Sequence, residues 1–112
     1  MPYVHIVSNV DFTNEDKINI KDYIVEIMPV IPGKSINNTM IQIDSAYLFF
    51  KEADKPAALV ELRTYKNSPL ECKQEFVDKV CEFLKEKYNI DKDYMYFNFM
   101  EMDIWGANGL IK

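Results

Sequence analysis

Two residues in the first third of the chain are of types suited to proton transfer. Pro2 follows an initiator methionine. A methionine ahead of a residue as small as proline is normally removed, which leaves a secondary amine at the chain start. Such an amine titrates at about pH 8 in water. An apolar pocket or a neighbouring cation favours its neutral form and lowers that value. The result is a rigid base able to take a proton from carbon near neutrality. Lys34 follows Pro32-Gly33, where a first helix hands over to a second strand. In β-α-β units strand starts and helix ends meet at one sheet edge, which would put Lys34 beside Pro2 as a cation for the amine and for a substrate carboxylate. Each has a plainer explanation when taken alone. Many chains begin Met-Pro, and Lys34, one of 13 Lys and Arg residues, fits a solvated loop lysine equally well.

Other chemistries find few residues to use. His5 is the only histidine, and its place between Val4 and Ile6 reads as an ordinary strand position. Without it no Ser-His-Asp or Cys-His set can be assembled. Cys72 and Cys81 lie on one expected helix, about 13 Å apart along its axis and beyond disulfide reach. The Cys and His count is too small for a structural zinc site, so no metal is expected. The net charge of −5 argues against nucleic acid or an anionic membrane as partner. No apolar run approaches the roughly 20 residues that span a bilayer. Residues 1–10 have no basic, apolar leader pattern, so no signal peptide is expected. The expectation is a cytoplasmic protein, with secretion lacking a signal peptide as the alternative.

The elements that must position Pro2 and Lys34 read as a repeated order. Pro2 to Val7 is β-branched and aromatic, a strand from its second residue. Thr13 and Asp16 form a helix cap, and Ile20, Tyr23, Ile24, Ile27 and Met28 recur at helical spacing until Pro29. Thr39 to Asp44 is a second strand, followed by a short extended piece over Ala46 to Phe50. The order then restarts. Ala57 to Tyr65 is a strand, Ser68-Pro69-Leu70-Glu71 a capping box, and Phe76, Val77, Val80, Cys81, Leu84 and Tyr88 a buried helical stripe. Asp93 to Met102 is the last long strand. Thr13 and Ser68, like Met40 and Met95, stand 55 positions apart. The fold class is therefore α+β, a single domain over 1–112 made of two β-α-β units with both helices on one face of a four-stranded mixed sheet. Fifteen aromatics in 112 residues exceed the needs of so small a core, and the bare sheet face calls for a second copy.

Several segments resemble the macrophage migration inhibitory factor family of the tautomerase superfamily. They are Met1-Pro2, Ser8-Asn9-Val10, Gly33-Lys34, the run from Lys55 to Arg63, Tyr96 to Met102, and Trp105-Gly106-Ala107-Asn108-Gly109. Together they span nearly the whole chain. The resemblance implies β-α-β-β-α-β subunits in a homotrimer, with cofactor-free active sites at the subunit interfaces. Pro2 matches the base that moves a proton between carbon and oxygen of a keto/enol pair. Lys34 matches the residue that holds the substrate carboxylate. Tyr65 stands where backbone helps bind substrate, and Tyr96 and Asn98 match residues reaching in from a neighbouring subunit. Phenylpyruvate-like 2-keto acids, and dopachrome-like compounds, are the implied substrates. Three departures stand out. Phe49 to Asp54 replaces a glycine-containing turn, Ala57 and Val60 replace a CxxC of some animal members, and Ala107 and Leu110 replace an aromatic and a small polar residue of the tail. Trp105 reads as pocket wall or subunit contact. Two alternatives accompany this reading. One is a signalling or host-interaction protein with a vestigial pocket, the other a ferredoxin-like ligand-binding regulatory domain.

Overall fold

The computed structural model describes residues 2–33, 36–51 and 54–112. Strand β1 (Pro2–Ser8), helix α1 (Asn14–Ile27) and strand β2 (Met40–Ser45) form the first unit. Strand β3 (Ala58–Tyr65), helix α2 (Leu70–Tyr88) and strand β4 (Met95–Met102) form the second. The main sheet runs in the order β2-β1-β3-β4. Within each unit the two strands are parallel, and β1 and β3 join the units by antiparallel pairing. The expected α+β architecture is what the structure shows.

Local chemistry sets the boundaries. The Thr13 hydroxyl accepts from the Asp16 N–H while the Asp16 carboxylate accepts from the Thr13 N–H, at 3.0 and 2.9 Å. This reciprocal cap satisfies two amides that the first helical turn leaves free. Helix α1 gives way at Met28 to a short 3-10 turn that contains Pro29. At the second helix the structure corrects the sequence reading. Ser68 makes no cap; Pro69 is extended, and the helix begins at Leu70 without a side-chain cap. The Ser68 N–H and hydroxyl turn to the Glu101 carboxylate instead, a charged acceptor and so a stronger one.

Even-numbered residues of β1 and β3 face the helices. Val4, Ile6, Val60 and Leu62 pack there with Ile20 and Ile24 of α1 and Phe76, Val80 and Leu84 of α2. Each side chain so buried contributes about 1.5–3 kcal/mol relative to exposure. The Ser8-Asn9-Val10 segment is structural. Asn9 donates to the carbonyls of Leu48 and Lys55 and accepts from the Ala57 N–H, and the Ser8 hydroxyl donates to the Ala57 carbonyl. These bonds fix the approach to β3 and hence the register of β3 against β1.

Residues 46–50, expected to be extended, lie in no strand. The tail folds into a two-residue ladder, β5 (Gly106–Ala107) against β6 (Leu110–Ile111). Asn108 and Gly109 both adopt positive φ, 55° and 76°, in the tight turn between them. That pairing of residue types suits the handedness of a two-residue hairpin.

Candidate active site

The register of the central strands decides what surrounds Pro2. Pro2 pairs with Thr64, and Thr64 pairs in turn with Glu101 on β4. The proline ring is fully buried, yet the residue forms part of the wall of an open cleft of about 780 Å³. Neighbours in that wall come from three places. Tyr3 and Arg63 face each other across β1 and β3, Asn38 and Met40 lead into β2, and Trp105, Ala107, Asn108 and Lys112 come from the tail. The tail is pinned where it meets the cleft, since Trp105 and Lys112 exchange backbone hydrogen bonds at 2.8 and 3.3 Å.

The candidate residues divide into three groups. Pro2 lies in the cleft. Lys34 is outside the described residues; the segment that follows it reaches the cleft through Asn38 and Met40. Tyr65 ends β3 one residue beyond the partner of Pro2, with the Lys66 ammonium 5.1 Å from its ring centre, and its side chain does not form the cleft wall. Tyr96 and Asn98 are not brought to Pro2 within one chain. They pair with Leu59 and Glu61 on β3, opposite Val7 and His5 of β1. At about 3.4 Å per residue and 4.8 Å per strand, they stand roughly 20 and 14 Å from Pro2. Both are exposed, Tyr96 at 62%.

Arg63 went unrecognised at the sequence level. Its type and position in an alternating strand carry no sign of a site, and only the β1–β3 register puts it at the cleft. Its guanidinium lies 5.3 Å from the Tyr3 ring centre, and its one acidic partner among the described residues, the Glu61 carboxylate, is 3.9 Å away. Its Nε is the one buried side-chain nitrogen or oxygen among the described residues that lacks a hydrogen-bond partner.

His5 sits on the open sheet face, away from the cleft. Its Nε2 meets the Asp44 carboxylate at 2.8 Å and its Nδ1 is 3.5 Å from Glu61. The hydrogen bond from His5 holds the Asp44 carboxyl below the usual carboxylate range, with a further contribution from Gln42. A second cleft of the same volume lies between α2 and β4, beside Cys81 and the Lys85–Asp91 ion pair. Burial pushes the Cys81 thiol up, so it is a poor nucleophile. Neither cysteine forms a disulfide, and no cluster of metal-ligating side chains occurs among the described residues. No helix among the described residues is long and apolar enough to cross a membrane.

Comparison with known proteins gives a consistent result. The family described as "Macrophage migration inhibitory factor (MIF)" matches residues 1–110. A search of curated proteins finds no match. Among solved structures, MIF2 of Leishmania major is similar with a TM-score of 0.89 at 17% identity, covering 100% of this chain and 97% of its own. A macrophage migration inhibitory factor-like protein of Entamoeba histolytica follows with 0.87 at 23% identity, covering 99% and 98%. Pt0534, described as inactivated by 2-oxo-3-pentynoate, is similar with 0.80 at 13% identity, covering 96% and 94%.

Proposed function

The chain belongs to the macrophage migration inhibitory factor family, within the tautomerase superfamily, and from that premise we propose that it is a keto–enol tautomerase of 2-oxo acids with Pro2 as its base. The observation that carries this is the position of Pro2, a buried ring at the start of a central strand and in the wall of a cleft. Once Met1 is removed, the amine lone pair takes a proton from C3 of the keto acid. The C–H electrons form the C2–C3 double bond, and the carbonyl oxygen is protonated to give the enol. The reverse sequence returns the proton to carbon. Lys34 pairs with the substrate carboxylate. Phenylpyruvate enol, with dopachrome-like compounds as a second type, is the substrate the family resemblance implies. The inactivation of Pt0534 by a 2-oxo acid accords with this substrate class.

The site is completed by a neighbouring copy in a homotrimer. Tyr96 and Asn98 are exposed and too far from the Pro2 of their own chain to serve it, which supports this reading. The test of the base is a Pro2→Gly protein assayed on phenylpyruvate enol, beside a parent whose intact mass shows that Met1 is gone. A loss of a hundredfold or more in kcat is expected for a positioned general base. Ketonisation at the parental rate would refute the assignment. Sedimentation should give a particle of three chains; a stable monomer or dimer with full activity would refute the trimeric site.

A further inference from the structure

The cleft at Pro2 has a charge character unlike the rest of the molecule. The chain carries a net charge of −5, yet among the described residues that form the cleft wall two are cations, Arg63 and Lys112, and none has a carboxylate side chain. The second cleft of the same size is the reverse, with Asp78, Glu82, Asp91 and Asp93 in its wall. Arg63 is also poorly matched by its own chain. Glu61 is at 3.9 Å, the limit of an ion pair, and is shared with His5 at 3.5 Å. The buried Nε has no acceptor. The guanidinium carbon lies 5.3 Å from the Tyr3 ring centre, and with the side chain 40% exposed and its Nε buried, the terminal nitrogens are the donors a planar anion can meet.

We propose that this cleft selects a 2-oxo acid carrying a second carboxylate, and that Arg63 receives the distal carboxylate through its forked donors. This deepens the tautomerase reading and rests on it for the chemistry, though not for the binding. An arginine fork and a carboxylate match in plane and spacing, which gives a bidentate, charge-assisted contact. A phenyl side chain would bring no acceptor to the guanidinium and would leave a cation facing an apolar ring edge. A site built for a charged group rejects the analogue that lacks it far more strongly than an apolar pocket rejects a missing methylene. The small Ala107 and the amides of Asn38 and Asn108 supply the polar, open wall that a compact dianion needs. The preference therefore departs from the aromatic substrates of the family resemblance.

Two measurements separate this proposal from the activity on which it builds. Malonate and its monoethyl ester are titrated calorimetrically into the parent protein, with no reaction required. Malonate should bind at least tenfold more tightly, and Arg63→Met should bring the two to near equality. Arg63→Lys, which keeps the charge but loses the fork, should recover part of the difference and guards against a folding defect in the first variant. Ketonisation is then followed for enol oxaloacetate, its 4-ethyl ester and phenylpyruvate enol. The diacid should exceed the ester at least tenfold in kcat/KM, and Arg63→Met should abolish that ratio. If no enol is turned over but malonate binding depends on Arg63, the tautomerase reading falls and the dianion site stands. If phenylpyruvate enol is turned over while malonate and its ester bind alike, the dianion site falls and the tautomerase stands.

Discussion

Glu101 ties together the start of α2, the end of β4 and the level of the sheet at which Pro2 lies. Its carboxylate accepts from the Ser68 N–H at 2.8 Å and from the Lys73 ammonium at 3.0 Å on each oxygen. Lys73 donates as well to the Ser68 carbonyl at 3.0 Å. The pair is largely enclosed, with side chains 14% and 23% exposed for Lys73 and Glu101. Replacement by glutamine keeps the shape and one acceptor for Ser68 but turns an amide N–H₂ or a neutral oxygen toward the ammonium. Hydrogen bonds to charged groups are worth about 1.5–3 kcal/mol. Since both side chains keep some contact with water, about 2 kcal/mol is the expected loss for Glu101→Gln. At about 4 °C per kcal/mol for a domain of this size, Tm should fall by about 8 °C. Protein concentration must be held fixed, because assembly also raises apparent stability.

The pH dependence follows from the same contacts. The bonded Lys73 ammonium holds the Glu101 carboxyl below its ordinary value; partial burial opposes this and the Ser68 N–H assists it. A lowered carboxyl contributes stability above its unfolded pKa, about 4.3, and loses it as pH falls through the folded value. The difference in Tm between parent and Glu101→Gln should therefore be full at pH 7 and shrink steadily below about pH 4. In the double variant with Lys73→Met the two losses should be less than additive. A Tm within a degree or two of the parent at pH 7, or a gap that persists unchanged at pH 3, would defeat this account.

Lys34→Ala should raise KM for a carboxylate substrate more than for its ester, because a charge-assisted contact is lost; an equal rise in both would remove Lys34 from the carboxylate role. His5→Ala should return the Asp44 carboxyl toward its ordinary range, since the His5 hydrogen bond is the leading cause of its lowering. Carbon-13 titration of the aspartates reads this directly, and an unmoved Asp44 would assign the effect to Gln42. With the sign of a lowered carboxyl, the stability from this contact is present near neutrality and lost in acid.

The elements legible in the sequence are those whose signals are local. The alternation in residues 58–65, the helical stripe through Phe76, Val80 and Leu84, and the Thr13–Asp16 cap each need only neighbours within a turn or a strand. Ser68 read as a cap for the same reason, and failed because a charged acceptor arrived from 33 residues away. The piece at residues 46–50 shows the converse, because extended residues become a strand only where a partner strand meets them. Ala46 makes one such bond, to the Ser8 carbonyl, and the following residues enter no ladder. For the candidate site, residue type and position single out Pro2, and the structure puts it in the wall of a cleft. Arg63 is not singled out, because its place at the cleft depends on which residue of β1 stands opposite it, and that is set by the Ser8 and Asn9 bonds to the segment before β3.

The division of the site between what one chain assembles and what it does not has a consequence for dilution. A single chain already brings Pro2, Arg63 and Lys112 to one cleft, held by pairings internal to the sheet and the tail ladder. In the proposed trimer, Tyr96 and Asn98, which lie on β4 beyond β3, are the groups that another copy would supply. Anion binding and turnover should therefore separate as the assembly is taken apart. Turnover per chain should fall with dilution in step with the loss of the trimer seen by sedimentation. Malonate affinity per chain, which draws on Arg63 and Lys112, should fall much less. A constant turnover per chain across that range would show that a lone cleft suffices, and would reduce Tyr96 and Asn98 to packing residues.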